Sequence, residues 1–98
     1  MTAEHLGLPS DSITYWALGS LDPSRTPQSQ AAELKEDLAQ SQISPNVILD
    51  IGWYPSFDPN GAFTVSVIQD MDWSAPVFSR RARSWPELRA AVAEALSV

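Results

Sequence analysis

Residues Val47–Gln69 read VILDIGWYPSFDPNGAFTVSVIQ, and this stretch decides the fold. Apolar residues alternate with smaller or polar ones in both halves, which is the period of a strand with one buried face. The central tetrad Asp58-Pro59-Asn60-Gly61 suits a type I turn followed by a glycine bulge. We therefore expect antiparallel strands over about 47–54 and 62–69. Their core-facing residues should be Val47, Leu49, Ile51, Trp53, Phe63, Val65 and Val67.

Helices are expected on both sides of this hairpin. Thr26 and Pro27 are suitable cap and first-turn residues for a helix over about 27–42, whose narrow apolar face includes Leu34 and Leu38. Ser84 and Glu87 have the spacing of a capping box. Apolar residues then recur every three or four positions, which predicts a helix over about 85–97.

The remaining segments complete a single domain over 1–98. Residues 76–82 form a short, arginine-rich segment typical of an edge strand. Ser12–Gly19 fits either a strand or an irregular anchoring segment, and residues 1–12 should be loose. The predicted class is α+β: a three- or four-stranded antiparallel meander in the order (β)-α-β-β-β-α, with both helices on one face.

The outward face of the hairpin is unusual because it mixes apolar, aromatic and acidic residues. Ile48, Asp50, Tyr54 and Ile68 all fall on it, whereas a one-sided sheet is normally polar there. Either the segment around Ile13–Leu18 covers this face, or a partner protein does.

Composition restricts the possible functions. The 98 residues carry a net charge of −6 and contain no cysteine, which rules out disulfides and thiolate chemistry. Residues 79–98 are the only basic region, so the chain as a whole does not suit direct nucleic-acid binding. The opening segment contains Glu4 and lacks the pattern of a secretory signal, and no apolar run could span a bilayer. We expect a cytoplasmic protein that does not bind membranes.

Catalytic motifs are missing from the sequence. The only histidine, His5, lies near the start, and no nucleophile or phosphate-loop motif is present. Asp70 and Asp72 are too few to predict a metal site. We expect a non-enzyme without catalytic residues, cofactor or metal, and a reaction at Asp70 and Asp72 is the alternative.

Residues 46–98 resemble small bacterial immunity proteins, the antidotes encoded beside polymorphic or contact-dependent toxins. The likeness rests on the tryptophan-bearing hairpin, the acidic segment DMDWSAP and the closing helix SWPELRAAVAEAL. It implies an antitoxin that binds and inhibits a cognate toxin, often a basic nuclease. An acidic surface would steer that association and aromatic side chains would anchor it.

Two other functions fit the same sequence. One is a phage-type acidic inhibitor of host defence, and the other is a structural subunit of a homo-oligomer or larger assembly that uses Ile48, Ile68 and the strand around Val77. The residues predicted to bind a protein partner are Asp50, Tyr54, Asp58, Asp70, Asp72 and Trp73.

Overall fold

A five-stranded antiparallel sheet with one α-helix makes up the fold, and the computed structural model describes all residues from 1 to 98. Strands that follow each other in sequence are also neighbours in the sheet, in the order β1-β2-β3-β4-β5. The predicted α+β class and antiparallel sheet are confirmed. The elements are β1 (Ile13–Trp16), β2 (Ala39–Ser44), β3 (Val47–Tyr54), β4 (Ala62–Gln69), β5 (Phe78–Ala82) and α1 (Trp85–Leu96).

Strands β3 and β4 have the predicted bounds, and they pair with Ile51 opposite Val65 and Trp53 opposite Phe63. Its turn is closed by a bond from the Gly61 N–H to the Asp58 carbonyl at 2.9 Å. Gly61 does not have the positive φ that a glycine bulge would require. It is needed instead for close packing, because a Cβ there would lie 2.5 Å from Trp53 Nε1.

The predicted helix over 27–42 is wrong. A short 3₁₀ segment occupies Gln28–Glu33, and Ala39–Ser44 forms β2. Ala39 and Ser41 pair with β3 and are buried, whereas an isolated helix there would have offered only a narrow apolar face. Pairing satisfies the backbone of β3 on its second edge, which outweighs the local helix propensity. The sheet therefore has five strands rather than three or four, and α1 is the one α-helix.

The N-terminal region is better ordered than the sequence indicated. Ser12–Gly19 contains the strand β1, and residues 1–12 form 3₁₀ turns at Ala3–Leu6 and Ser10–Ser12. Ala3, Leu6 and Leu8 are buried in the core. This segment was expected to be loose. Its apolar residues instead pack into the core.

One face of the sheet carries the core. Trp53 packs edge-to-face on Phe63 with ring centroids 4.9 Å apart. The ring centroid of Trp85 lies 5.4 Å from that of Phe63. The apolar face of α1 closes over these rings through Leu88, Ala91, Val92 and Ala95. Ser84 caps α1 by accepting from the Glu87 N–H. No helix has both the length and the apolar character needed to cross a membrane.

Candidate functional site

The opposite face of the sheet, called here the outer face, carries no helix. β1 does not cover it, because β1 lies beside β2 as the first strand of the sheet. Of the two alternatives for this face, the structure does not support cover by the segment around Ile13–Leu18. Ile68 is only 2% exposed and Ile48 is half-buried, so the outward isoleucines do not form an open apolar patch. Exposed side chains on this face include Tyr15 on β1, Gln42 on β2, Tyr54 on β3 and Arg81 on β5.

A backbone bulge at Glu36 and Asp37 rises over the outer face. The Lys35 carbonyl accepts from the Trp53 N–H at 3.0 Å, and the Leu38 N–H donates to the Ile51 carbonyl at 3.0 Å. The two residues between these bonds are displaced outward. The Glu36 carbonyl lies directly over Gly52, where a Cβ would collide with it. Gly52 therefore permits the bulge, which places two exposed carboxylates above the sheet.

Asp50 lies on this face next to the bulge. Gln40, its direct partner on β2, donates from Nε2 to Asp50 Oδ1 at 3.2 Å. Burial raises the pKa of the Asp50 carboxyl and Asp37 adds to the rise, while the bond from Gln40 opposes it. The single salt bridge of the protein joins Arg80 to Glu94, so no cation of this chain pairs with Asp50.

Two tyrosines flank these acidic groups. Tyr54 is 40% exposed, and its Oη donates to the Glu36 carbonyl at 3.3 Å. Burial raises the pKa of the Tyr54 phenol, and Asp50, Glu36 and Asp37 raise it further. Tyr15 on β1 is 39% exposed and, with Asp37 and Gln40, lines a shallow pocket of about 280 Å³. We call Tyr15, Asp37, Gln40, Asp50 and Tyr54 the acidic patch.

Of the six residues predicted to bind a partner, the structure brings only Asp50 and Tyr54 into this patch. Asp58 lies in the hairpin turn, where its carbonyl accepts from Trp53 Nε1 at 2.8 Å. Its side chain accepts from the Asn60 N–H at 2.8 Å. Both contacts hold the turn closed, so Asp58 has a structural function.

Asp70, Asp72 and Trp73 lie at the other end of the hairpin. Asp70 follows Gln69, which pairs with Val47, and its Oδ1 accepts from Asn46 Nδ2 at 3.1 Å. Because β3 is eight residues long, this end is about 23 Å from Tyr54. Asp72 accepts from Ser74 Oγ at 2.7 Å, and Trp73 is 45% exposed. The predicted residues thus form two separate surfaces.

The arginine cluster is also divided. Arg80 pairs with Glu94 at 3.0 Å, and Arg83 donates to the Gly61 and Pro59 carbonyls of the turn. Arg81 is exposed and lies opposite Thr64, which places it on the outer face. It belongs to β5, about 9.5 Å from β3 by strand spacing. The outer face is therefore acidic over β2 and β3 and basic at the β5 edge.

Sequence reasoning missed Tyr15, which lies in the ambiguous segment Ser12–Gly19, and it missed Asp37 and Gln40, which lie within the wrongly predicted helix over 27–42. No group of three acidic or histidine side chains is arranged to hold a metal ion. Comparison with known protein families, curated proteins and solved structures found no match. The function of the acidic patch therefore has to follow from the chemistry of its own residues.

Proposed function

We propose that this chain is a non-catalytic inhibitor that binds a basic protein through the acidic patch, as an immunity protein binds a bacterial toxin. The observation that carries the proposal is Asp50, a half-buried carboxylate with no cationic partner in its own chain. Burying a charge without a counter-charge is costly. A lysine or arginine from a partner would offset that cost and would make binding specific.

The aromatic groups support a protein partner rather than a small ion. Tyr15 and Tyr54 stand at the border of the patch, each with about three-fifths of its surface covered. Tyrosine is enriched at the centres of protein interfaces because its ring adds contact area while its hydroxyl stays hydrogen-bonded. A rim of exposed carboxylates would raise the rate of encounter with a basic protein.

The proposal that the partner is a toxin rests on the resemblance of residues 46–98 to immunity proteins. A basic nuclease acting in the same cytoplasm would be a suitable partner. A phage-type inhibitor of host defence would use the same acidic surface, and the identity of the captured protein separates the two. Asp70, Asp72 and Trp73 lie at the other end of the hairpin, and the proposal assigns binding to the acidic patch rather than to them.

The assembly-subunit alternative now rests on Val77 and its neighbours, since Ile68 is buried and Ile48 is half-buried. Met71, Trp73 and Val77 in the β4–β5 connection are 67%, 45% and 51% exposed. A copy-to-copy contact would use this end of the sheet. Sedimentation at several concentrations tests it, because a monomer at every concentration would remove the homo-oligomer.

The experiment compares tagged wild type with two charge-reversed variants in native-host lysate. Asp37→Lys/Asp50→Lys alters the acidic patch, and Asp70→Lys/Asp72→Lys is the matched control with the same change of charge. We expect one basic protein to be retained by wild type and by the control, and the patch variant to bind it at least about tenfold more weakly. Wild type should also inhibit that protein's activity at equimolar ratio. Capture of the same proteins by both folded variants would contradict a role for the patch.

A further inference from the structure

The free edge of β1 is open to another strand. β1 has β2 as its only strand neighbour, and its four residues, Ile13–Trp16, include no lysine, arginine or proline. Natural edge strands usually carry such residues to prevent pairing with other chains. β5, at the opposite edge, follows that rule with Arg80 and Arg81. The β1 edge lacks this protection.

Backbone groups on this edge point towards solvent. Tyr15 lies opposite Gln40, and the Ala17 N–H donates to the Leu38 carbonyl at 2.7 Å. Along an antiparallel pair of strands, residues that hydrogen-bond to the partner strand alternate with residues whose N–H and C=O point away from it. The N–H and C=O of Trp16, between these two residues, are therefore directed to the open side of β1.

Two depressions of different chemistry flank the edge. On the core side lies a mainly apolar one of about 450 Å³, lined by residues that include Met1, Ala3, Ile13 and Trp16. On the outer side lies the pocket beneath Tyr15 and Asp37. Side chains of an added strand point alternately to the two sides, so one set would meet apolar surface and the other would meet Tyr15 and the Asp37 carboxylate.

Charge around the edge selects a basic ligand. Residues 1–24 contain Glu4, Asp11 and Asp22 but no lysine or arginine. The Met1 α-ammonium donates to the Gly19 and Leu21 carbonyls at 3.0 and 3.1 Å. Hydrogen bonds from Ser24 and the charges of Arg25 and of the Met1 α-ammonium lower the pKa of Asp22, whereas Glu4 and Asp11 form no salt bridge.

We infer that β1 is the docking edge for an extended segment of a basic protein, in which apolar residues alternate with arginine or lysine. Main-chain bonds to Trp16 supply affinity, and the alternation supplies specificity. The inference rests on the proposed function and deepens it, because it states which part of a partner is bound and where.

Three synthetic peptides test it by fluorescence anisotropy. The first alternates arginine with valine over eight residues, the second has the same composition in two blocks, and the third alternates glutamate with valine. We expect the first to bind at least tenfold more tightly than either of the others. Binding should also slow hydrogen exchange at the Trp16 amide and leave the β5 amides unchanged.

Two variants locate the site. Asp37→Lys should weaken binding of the alternating basic peptide at least tenfold, and Ser79→Lys on β5 should leave it unchanged. If the block peptide binds equally well and Asp37→Lys weakens both, the acidic patch stands as a binding surface but the edge inference is overturned. Loss of binding in Ser79→Lys alone, or no binding by any peptide at millimolar concentration, overturns it as well. Concentration-dependent dimerisation that Tyr15→Lys abolishes would assign the edge to a second copy of this chain and would also overturn it.

Discussion

The two edges of the sheet are protected in different ways. β5 carries exposed arginines, and its Arg80 is held in place by Glu94 on α1 and lies 5.9 Å from the Phe78 ring centroid. β1 has no charge of its own and relies on its short length and on an irregularity between Ile13 and Tyr15. Bulges and short strands discourage extended pairing but still admit a short segment.

This difference follows the distribution of charge along the chain. Residues 79–98 have a net charge of +2, whereas residues 1–46 and 47–78 each have −4. The strand order converts this into a gradient across the sheet, from acidic at β1–β3 to basic at β5. A basic partner approaching this protein is therefore directed to one edge and repelled from the other.

The largest effect on the difference between the two sides of the sheet is expected from Gly52→Ala. The new methyl group would collide with the Glu36 carbonyl. A backbone group cannot move aside as the end of a flexible side chain can. We expect a loss of about 3 kcal/mol in unfolding free energy, with hydrogen exchange accelerating first in β1 and β2. Gly19→Ala is the control, because its Cβ would meet only Trp16 Cδ1 at 4.0 Å. Equal denaturation midpoints for the two variants would contradict the role given to Gly52.

Asp50→Asn should stabilise the acidic side of the sheet, and it therefore tests the difference between the two sides. Burial raises the pKa of Asp50 above its ordinary value of 3.8, so the folded state holds this proton more tightly than the unfolded chain. The unfolding free energy of the wild type therefore falls as the pH rises from 3.8 to the raised pKa of folded Asp50. Asparagine does not titrate, so the variant does not show this fall. We expect a higher melting temperature than wild type at pH 7, with the difference shrinking below pH 3.8.

Asp72→Asn is the control for that titration, because Asp72 lies exposed in the β4–β5 connection. Thermal melts from pH 3 to 8 provide the measurement. A constant gap between Asp50→Asn and wild type at every pH would show that the gain does not come from titration of Asp50.

The smallest effect on stability is expected from Arg80→Ala. Its ion pair with Glu94 is exposed, with 54% and 47% of the side-chain surfaces accessible, and such pairs contribute about 0.5 kcal/mol or less. The charge should matter more for association than for folding. Arg80→Ala/Arg81→Ala should sediment as larger species at high concentration, whereas Arg89→Ala on α1 should not. A monomeric double variant would show that β5 is protected by something other than its arginines.

The central hairpin and α1 were predictable because the decisive signals are local. The alternation in Val47–Gln69 specifies which residues of both strands face the core without information from the rest of the chain. Ser84 likewise fixes the start of α1 through one hydrogen bond. Where a segment carries its own apolar alternation or its own helix cap, the pattern was sufficient.

β2 was missed because its own residues carry no clear strand pattern. Ala39 and Ser41 are small, and their burial depends on Leu49 and Ile51 beside them. One signal was present: in the three-stranded version of the predicted meander, β3 would have been an eight-residue apolar edge strand without lysine or proline. Such an edge normally requires a further strand. The acidic patch was missed for the same reason, because the backbone bulge brings Asp37 to Asp50.

The Glu36–Asp37 bulge also has a consequence for the diversification and engineering of this protein. Main-chain bonds from Lys35 and Leu38 to β3 flank it, and Glu36 and Asp37 contribute no side-chain hydrogen bonds to the fold. Their side chains can therefore be exchanged with little loss of stability, provided that position 52 stays glycine. Randomising positions 36 and 37 would give a library of binding specificities on a constant scaffold.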